Sequence, residues 1–230
     1  MVNIALRKKT ANFLQKNASN AGAARPSGLY LGMNLENIKK FACATLEKVP
    51  GKYLYHSWRH TINVVKYAPL FARQSGLSEP EIELITAAAW LHDLGFIYGA
   101  AGHEAASAAI AAEALPPMGV SPGELEDIQT LIMATIIPAR PFTVAEMVIC
   151  DADVEYLGRA EFYELSTLLR MELFLLGRGF TELEWLDFEI KFLTNQKFFS
   201  PAARRLRNAG KLRHLRELES YRRCFGGGQA

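Results

Sequence analysis

Ile85-Thr-Ala-Ala-Ala-Trp-Leu-His-Asp-Leu-Gly95 is an almost wholly apolar run that ends abruptly in a histidine, an aspartate and a glycine. A helix that is apolar on every side is buried, so this segment predicts a central helix delivering two polar side chains into the interior. Adjacent helical residues diverge by about 100° and seldom share a core face. At the last turn of a helix, however, both side chains can turn toward one point. A buried, unpaired carboxylate is costly. A divalent cation removes that cost by neutralising Asp93 and accepting the lone pair of His92. A helix-terminal pair that merely hydrogen-bonds locally is the plainer alternative.

Outward from this segment, nearly every periodic stretch reads as helix. Asn34 can cap a helix to about Lys48, with Leu35, Ile38, Phe41 and Ala42 on one face. Tyr55 to Gln74 carries Ile62, Val65 and Leu70 at helical spacing, and Ser78-Glu-Pro-Glu81 opens the helix that runs into His92. After a Gly-containing loop come an Ala-rich helix over His103–Leu115 and a capping-box start at Ser121-Pro-Gly-Glu124. Pro138 and Pro141 mark a break. Further helices are expected over Thr143–Leu157, Glu161–Leu176, Thr181–Leu193 and from Pro201 onward. Strand-type alternation is absent. The expectation is an all-α, compact multi-helix bundle without internal repeats.

The 230 residues fit one domain, expected over 31–224. Before it, Arg7, Lys8, Lys9, Lys16 and Arg25 precede the first acid, Glu36, and residues 17–28 are rich in Ala, Ser, Asn, Gly and Pro. This predicts a flexible basic extension over 1–30, with a marginal amphipathic helix around Ala5–Gln15; an organellar presequence has a similar composition. Residues 225–230 are expected to be a disordered tail. A net charge of +2 gives no argument for a nucleic-acid or membrane partner, and no apolar run is long enough to span a bilayer. Cys43, Cys150 and Cys224 form no CxxC pair, which excludes a zinc knuckle and favours a reducing compartment, so a cytoplasmic location is expected. The basic C-terminal stretch, His214 included, reads as a solvated helix face.

Three other segments bear on His92 and Asp93. His60 lies on a helix whose apolar residues place it inward, and Asp153 ends the apolar run Val148-Ile149-Cys150. Two imidazoles and two carboxylates suit Mn, Fe, Co, Zn or Mg better than a soft cation, and leave positions open for water. The order His, then His-Asp, then Asp on successive helices resembles the HD superfamily of metal-dependent phosphohydrolases. The contexts are Tyr55-His-x3-His60-Thr61, Trp90-Leu-His-Asp-Leu-Gly95 and Asp151-Ala-Asp-x-x-Tyr-Leu-Gly158. The resemblance runs from about Tyr53 to Leu157 and implies His60, His92, Asp93 and Asp153 as ligands of one divalent ion. Asp151 competes with Asp153 for the last position, the family pattern favouring Asp153 with Asp151 as a supporting partner or cap.

The resemblance further implies hydrolysis of a small phosphate ester, nucleotide-like, with Asp93 or Asp153 taking the water's proton. In the related cyclic-nucleotide phosphodiesterases, the histidine four residues before the first metal histidine is the general acid. His56 holds that position here, and a helical i, i+4 spacing would put it on the face of His60. His103 and Glu104, at the start of a helix after the Gly/Ala loop, are further catalytic candidates; a first-turn Glu favoured by the helix dipole is the plainer account of Glu104. Arg59, Arg140 and Arg159 are candidates for phosphate, Arg159 foremost. Two-metal members, phosphodiesterases or di-iron oxygenases, carry two more histidines between the His-Asp pair and the last Asp, where this chain has only His103. A non-catalytic nucleotide-binding domain is the remaining alternative. Where the family suggests a histidine before Phe198-Phe-Ser-Pro, this chain has Asn195-Gln196.

Overall fold

Four helices of this protein begin with the same local device. In Ser78/Glu81, Ser121/Glu124, Thr143/Glu146 and Thr181/Glu184 the hydroxyl faces the N3 amide while the glutamate reaches back to the cap's own N–H. Two otherwise orphaned donors are thereby satisfied at each start. The computed structural model describes residues 33–226. Among them it contains α1 (Leu35–Leu46), α2 (Trp58–Gln74), α3 (Glu79–Leu91), α4 (His103–Ala114), α5 (Pro122–Ala134), α6 (Val144–Asp153), α7 (Phe162–Leu175), α8 (Glu182–Asn195) and α9 (Pro201–Gly226). Short 3-10 turns cover Leu94–Ile97, Pro116–Met118 and Glu155–Gly158, and no strand occurs among the described residues.

The apolar α3 is the hub, as its sequence requires. Ile82, Leu84, Ile85 and the whole run Ala87–Leu91 are buried, and α3 packs against α1, α2, α5 and α6. The long α9 lies across α8, α2 and the 3-10 turn after α6. Two glycines permit that last contact. A Cβ on Gly210 would stand 2.1 Å from the carbonyl oxygen of Gly158, and one on Gly158 would stand 2.2 Å from that of Arg207. Both obstacles are backbone, so neither can swing aside. Gly210→Ala should therefore cost about 1–3 kcal/mol of stability, the range of overpacked cores, which denaturant unfolding would register as a lower midpoint.

Three expectations need correction. The helix expected from Tyr55 starts at Trp58, because the amides of Tyr55 and His56 are drawn sideways onto the Glu172 carboxylate (2.9 and 3.0 Å). His214 is buried, not solvated. It contacts the Leu157 carbonyl through Nδ1 at 2.9 Å and stacks on Phe162. Its buried neighbours Lys211 and Leu218 sit three and four residues away on the same inner stripe of α9. Finally, Phe225 and Gly226, expected in the tail, still belong to α9. The extension over 1–30, its helix at 5–15 and residues 227–230 lie outside the described residues. No helix among those described is long and apolar enough to cross a membrane.

One buried acid far from α3 sets a pH dependence. Glu189 of α8 is hydrogen-bonded to Ser166 of α7, and burial pushes its carboxyl up to about 7. A carboxyl raised on folding binds its proton more tightly in the native state. Stability is thus full below the ordinary carboxylate range and falls as pH rises toward 7. Between pH 5 and 8 this group should cost on the order of 2–3 kcal/mol. Urea unfolding of wild type and Glu189→Gln at both pH values should show a loss between pH 5 and 8 that is larger in wild type than in the variant by about that amount.

Candidate metal centre

The end of α3 is shaped by two backbone contacts. His92 caps the helix, its N–H donating to the Ala88 carbonyl and its Nδ1 lying 2.9 Å from the Ala89 carbonyl. A carbonyl only accepts, so Nδ1 carries the proton and Nε2 presents a lone pair when the ring is neutral. The chain then tightens into the 3-10 turn Leu94–Ile97, where the Gly95 amide donates to Ser107 Oγ of α4 at 2.8 Å. A Cβ on Gly95 would stand 2.0 Å from the His103 carbonyl oxygen. Glycine is what lets the start of α4, and with it His103, close over the turn.

Four side chains from three helices and this turn converge. His60 Nε2 lies 3.0 Å from Asp153 Oδ1, 3.3 Å from Asp93 Oδ2 and 3.2 Å from His92 Nε2. His92 Nε2 is 3.3 Å from Asp93 Oδ2 and 3.5 Å from Asp153 Oδ1. His60, His92 and Asp93 are buried and form a group able to hold a metal ion; Asp153, 17 % exposed, is the open side. Ligands about 2.1 Å from a shared ion stand roughly 3.0–3.4 Å apart in octahedral or tetrahedral geometry, close to the spacings seen. Asp93 Oδ2 is buried and receives no hydrogen bond, although such an atom ordinarily has a partner. An orphaned carboxylate oxygen facing two imidazole nitrogens is what a cation would satisfy, so the donor set fits a divalent ion.

The charges interlock accordingly. Burial opposes the imidazolium of His92, but Asp93 and Asp153 outweigh it and hold this ring well above the ordinary histidine range. Burial likewise opposes both carboxylates, and the imidazoles around them nevertheless hold Asp93 and Asp153 well below theirs.

Asp151 is turned away from this cluster. It is fully buried, with Oδ1 accepting from the Phe199 amide (2.8 Å) and Oδ2 from the Ser200 amide (2.6 Å), tying α6 to the start of α9. Burial raises its carboxyl to about 6 against those two bonds. His103 reaches Asp93 Oδ1 through Nε2 at 3.3 Å and the Ala100 carbonyl through Nδ1 at 3.0 Å. Burial opposes its charge, and Asp93 raises it above the ordinary range. Glu104 lies 3.5 Å from His103 Nδ1. His56, though outside the helix, still arrives beside the cluster, its ring centroid 5.8 Å from that of His60 and 6.1 Å from that of His103.

The arginines do not gather here. Arg159 donates to Glu155 through Nη1 and to Glu161 through Nε and Nη2 and lies over the Tyr67 ring. Three of its five N–H donors are engaged in this ion-pair network. Arg59 is exposed and paired with Glu164 at 2.6 Å. Arg140 is exposed on the segment between α5 and α6.

Two participants escaped the sequence. Phe96 lies between the candidate histidines, stacked on His56 at 4.4 Å and tilted against His103 at 4.2 Å. Glu172 of α7 accepts from the backbone amides of Tyr55 and His56 and meets His56 Nδ1 at 2.6 Å. The only signal was an acid set inside the apolar run Met171–Leu176. A cavity of about 10 Å³ beside His60 and Asp153, lined also by Tyr55, Asn63, Glu155 and Tyr156, has room for about one water.

The chain is similar in structure to a Lactobacillus plantarum protein, with 16% identity, a TM-score of 0.58, and coverage of 83% of this chain and 98% of that one. It is also similar to a predicted HD superfamily hydrolase from an uncultured Thermotogales bacterium, at 18% identity and a TM-score of 0.49, covering 70% and 90% of the two chains. At 16% identity the likeness to the Lactobacillus plantarum protein speaks for the fold alone. No curated protein matches the sequence. The HD domain family matches residues 57–155, a span holding His60, His92, Asp93, His103 and Asp153. On this match, residues 57–155 of the chain form an HD domain within an all-helical architecture.

Proposed function

We propose that this chain hydrolyses a small, nucleotide-like phosphate ester with the help of one divalent ion held by His60, His92, Asp93 and Asp153. The observation that carries this is the convergence of those four side chains around the orphaned Asp93 Oδ2. When bound, a divalent ion supplies a Lewis acid that acidifies water and withdraws charge from a phosphoryl oxygen.

The protein's own groups do the rest. Asp153, on the open side of the cluster, is placed to accept a proton from an attacking water. His103 bonds the outer oxygen of Asp93 and so keeps Oδ2 turned toward His60 and His92. His56 stands beside this group with Nδ1 engaged by Glu172, which leaves Nε2 as the edge that can hand a proton to the leaving oxygen. Arg140, exposed on the segment between α5 and α6, is kept as the arginine candidate for phosphate. Arg59 would have to leave Glu164 first.

Asp93 Oδ1 facing His103 Nε2 at 3.3 Å supports a second reading, in which His103 and Asp93 would help to hold a second ion; metal stoichiometry separates the two. The function is tested by incubating the purified chain with Mn, Fe, Co, Mg or Zn and a panel of nucleoside monophosphates, cyclic nucleotides and nitrophenyl phosphate esters. Phosphate or alcohol release that depends on added metal is expected. Silence across every metal and ester would leave the nucleotide-binding alternative.

A further inference from the structure

Glu172 lies 116 residues from His56 in sequence, is 1 % exposed, and spends both carboxylate oxygens on one short piece of chain. Oε2 accepts the backbone amides of Tyr55 and His56, and Oε1 meets His56 Nδ1 at 2.6 Å. Burial opposes the carboxylate, yet His56 and these amides hold it below the ordinary glutamate range. A carboxylate has no proton to offer, so the bond at Nδ1 requires the ring to donate. A face of the same ring stacks on Phe96, 4.4 Å away and nearly parallel. The imidazole is thus fixed in backbone position, in ring plane and in the identity of its protonated nitrogen, by two residues that belong to neither the metal cluster nor α2.

We infer that Glu172 is a positioning residue for proton transfer. It keeps a proton on His56 Nδ1 throughout, so that any proton His56 gives to a leaving oxygen, or later recovers, moves at Nε2. The inference rests on the phosphohydrolase reading above for what the proton is used for, and on hydrogen-bond geometry alone for where it sits. It also gives α7 a role: the helix exposes Met171, Phe174 and Leu175 on either side of Glu172, while Glu172 itself turns inward to the site.

Glu172→Gln is an informative substitution because it keeps most of the local structure. The glutamine oxygen still accepts the amides of Tyr55 and His56, whereas its NH2 now faces His56 Nδ1. A donor there demands a lone pair on the ring, so the proton should move to Nε2. Two-dimensional 15N–1H correlation of the histidine rings of the metal-free protein at about pH 9, with His56→Gln to assign the signal, reads this directly. Wild type should show His56 as the Nδ1–H tautomer, and the variant as predominantly Nε2–H. An Nε2–H tautomer in wild type, or no change in the variant, overturns the inference.

Kinetics with two probes that differ only in leaving group, phenyl and 4-nitrophenyl phosphate with their methyl diesters, gives the second readout. Positioned general acids contribute about 10²–10⁴-fold, and nitrophenolate needs that help least. Glu172→Gln should slow the phenyl ester at least about 100-fold and the nitrophenyl ester less than about 10-fold. His56→Gln should show the same pattern, and the double variant should be little worse than either single one. Equal losses on both esters would mean a merely structural role and would overturn it. If wild type cleaves no ester at all, the phosphohydrolase reading falls, and the tautomer measurement alone decides the positioning claim.

Discussion

Asp153→Ala should abolish turnover and metal retention together, while Asp151→Ala, two residues away, should leave the metal in place and lower stability instead. The two carboxylates sit on one helix and differ in what they face. Asp153 Oδ1 stands 3.0 Å from His60 Nε2 and 3.5 Å from His92 Nε2, so its loss opens the ligand set. Several kcal/mol of charge stabilisation, at about 1.4 kcal/mol per tenfold, corresponds to about 10³-fold or more in rate. Asp151 instead accepts the amides of Phe199 and Ser200. Truncating it strands two donors at the start of α9, at a cost of about 2–4 kcal/mol. Metal analysis and thermal unfolding of the two variants check both halves. Loss of metal from Asp151→Ala with retention in Asp153→Ala would reverse the assignment.

Removing the ion should have the largest effect on stability. An ion present at about a thousand times its dissociation constant adds about 4 kcal/mol to the folded state. For a chain of this size that corresponds to a fall in melting temperature of about 8–16 °C on chelation. The sign of the pH dependence follows from the same side chains. In the metal-free protein His92 is held above its ordinary value, so the stability it contributes is fully present below about pH 6.5 and is lost as pH rises through its folded value. Asp93 and Asp153, held low, contribute stability above about pH 4 that is lost on further acidification. Metal competes with the protons on the imidazoles. The gain in melting temperature on adding Mn or Zn should therefore be small near pH 5.5 and grow toward pH 8. A gain that shrinks with rising pH would argue that the ion binds elsewhere.

What the sequence made legible, and what it left out, divides along physical lines. Helix starts announce themselves, because a capping box is a four-residue pattern complete in itself; Ser78, Ser121, Thr143 and Thr181 each stand at the start of a helix. The buried hub was equally plain, since the second half of α3, Ile85–Leu91, is almost wholly apolar. His60, His92, Asp93 and Asp153 stood out as polar residues at the ends or inner faces of apolar runs, and the structure gathers them. Glu172 did not stand out. Its role depends on a contact 116 residues away that no local pattern encodes. His214 was misjudged because its sequence neighbours are arginines, although the spacing Lys211, His214, Leu218 already traces the inner stripe of α9. The partners of Arg159 were hidden for a related reason. A guanidinium near the motif looks available until Glu155 and Glu161 are seen to take its donors.

The central claim is that His60, His92, Asp93 and Asp153 hold a single divalent ion, and metal content per chain tests it most directly. The chain should be purified without chelator, incubated with Mn or Fe, desalted, and compared with the His92→Ala, Asp93→Ala double variant by elemental analysis. One equivalent in wild type and none in the variant is the expected result. Two equivalents would favour the two-ion reading over a single ion, and no metal in wild type, or equal metal in both proteins, would contradict the claim.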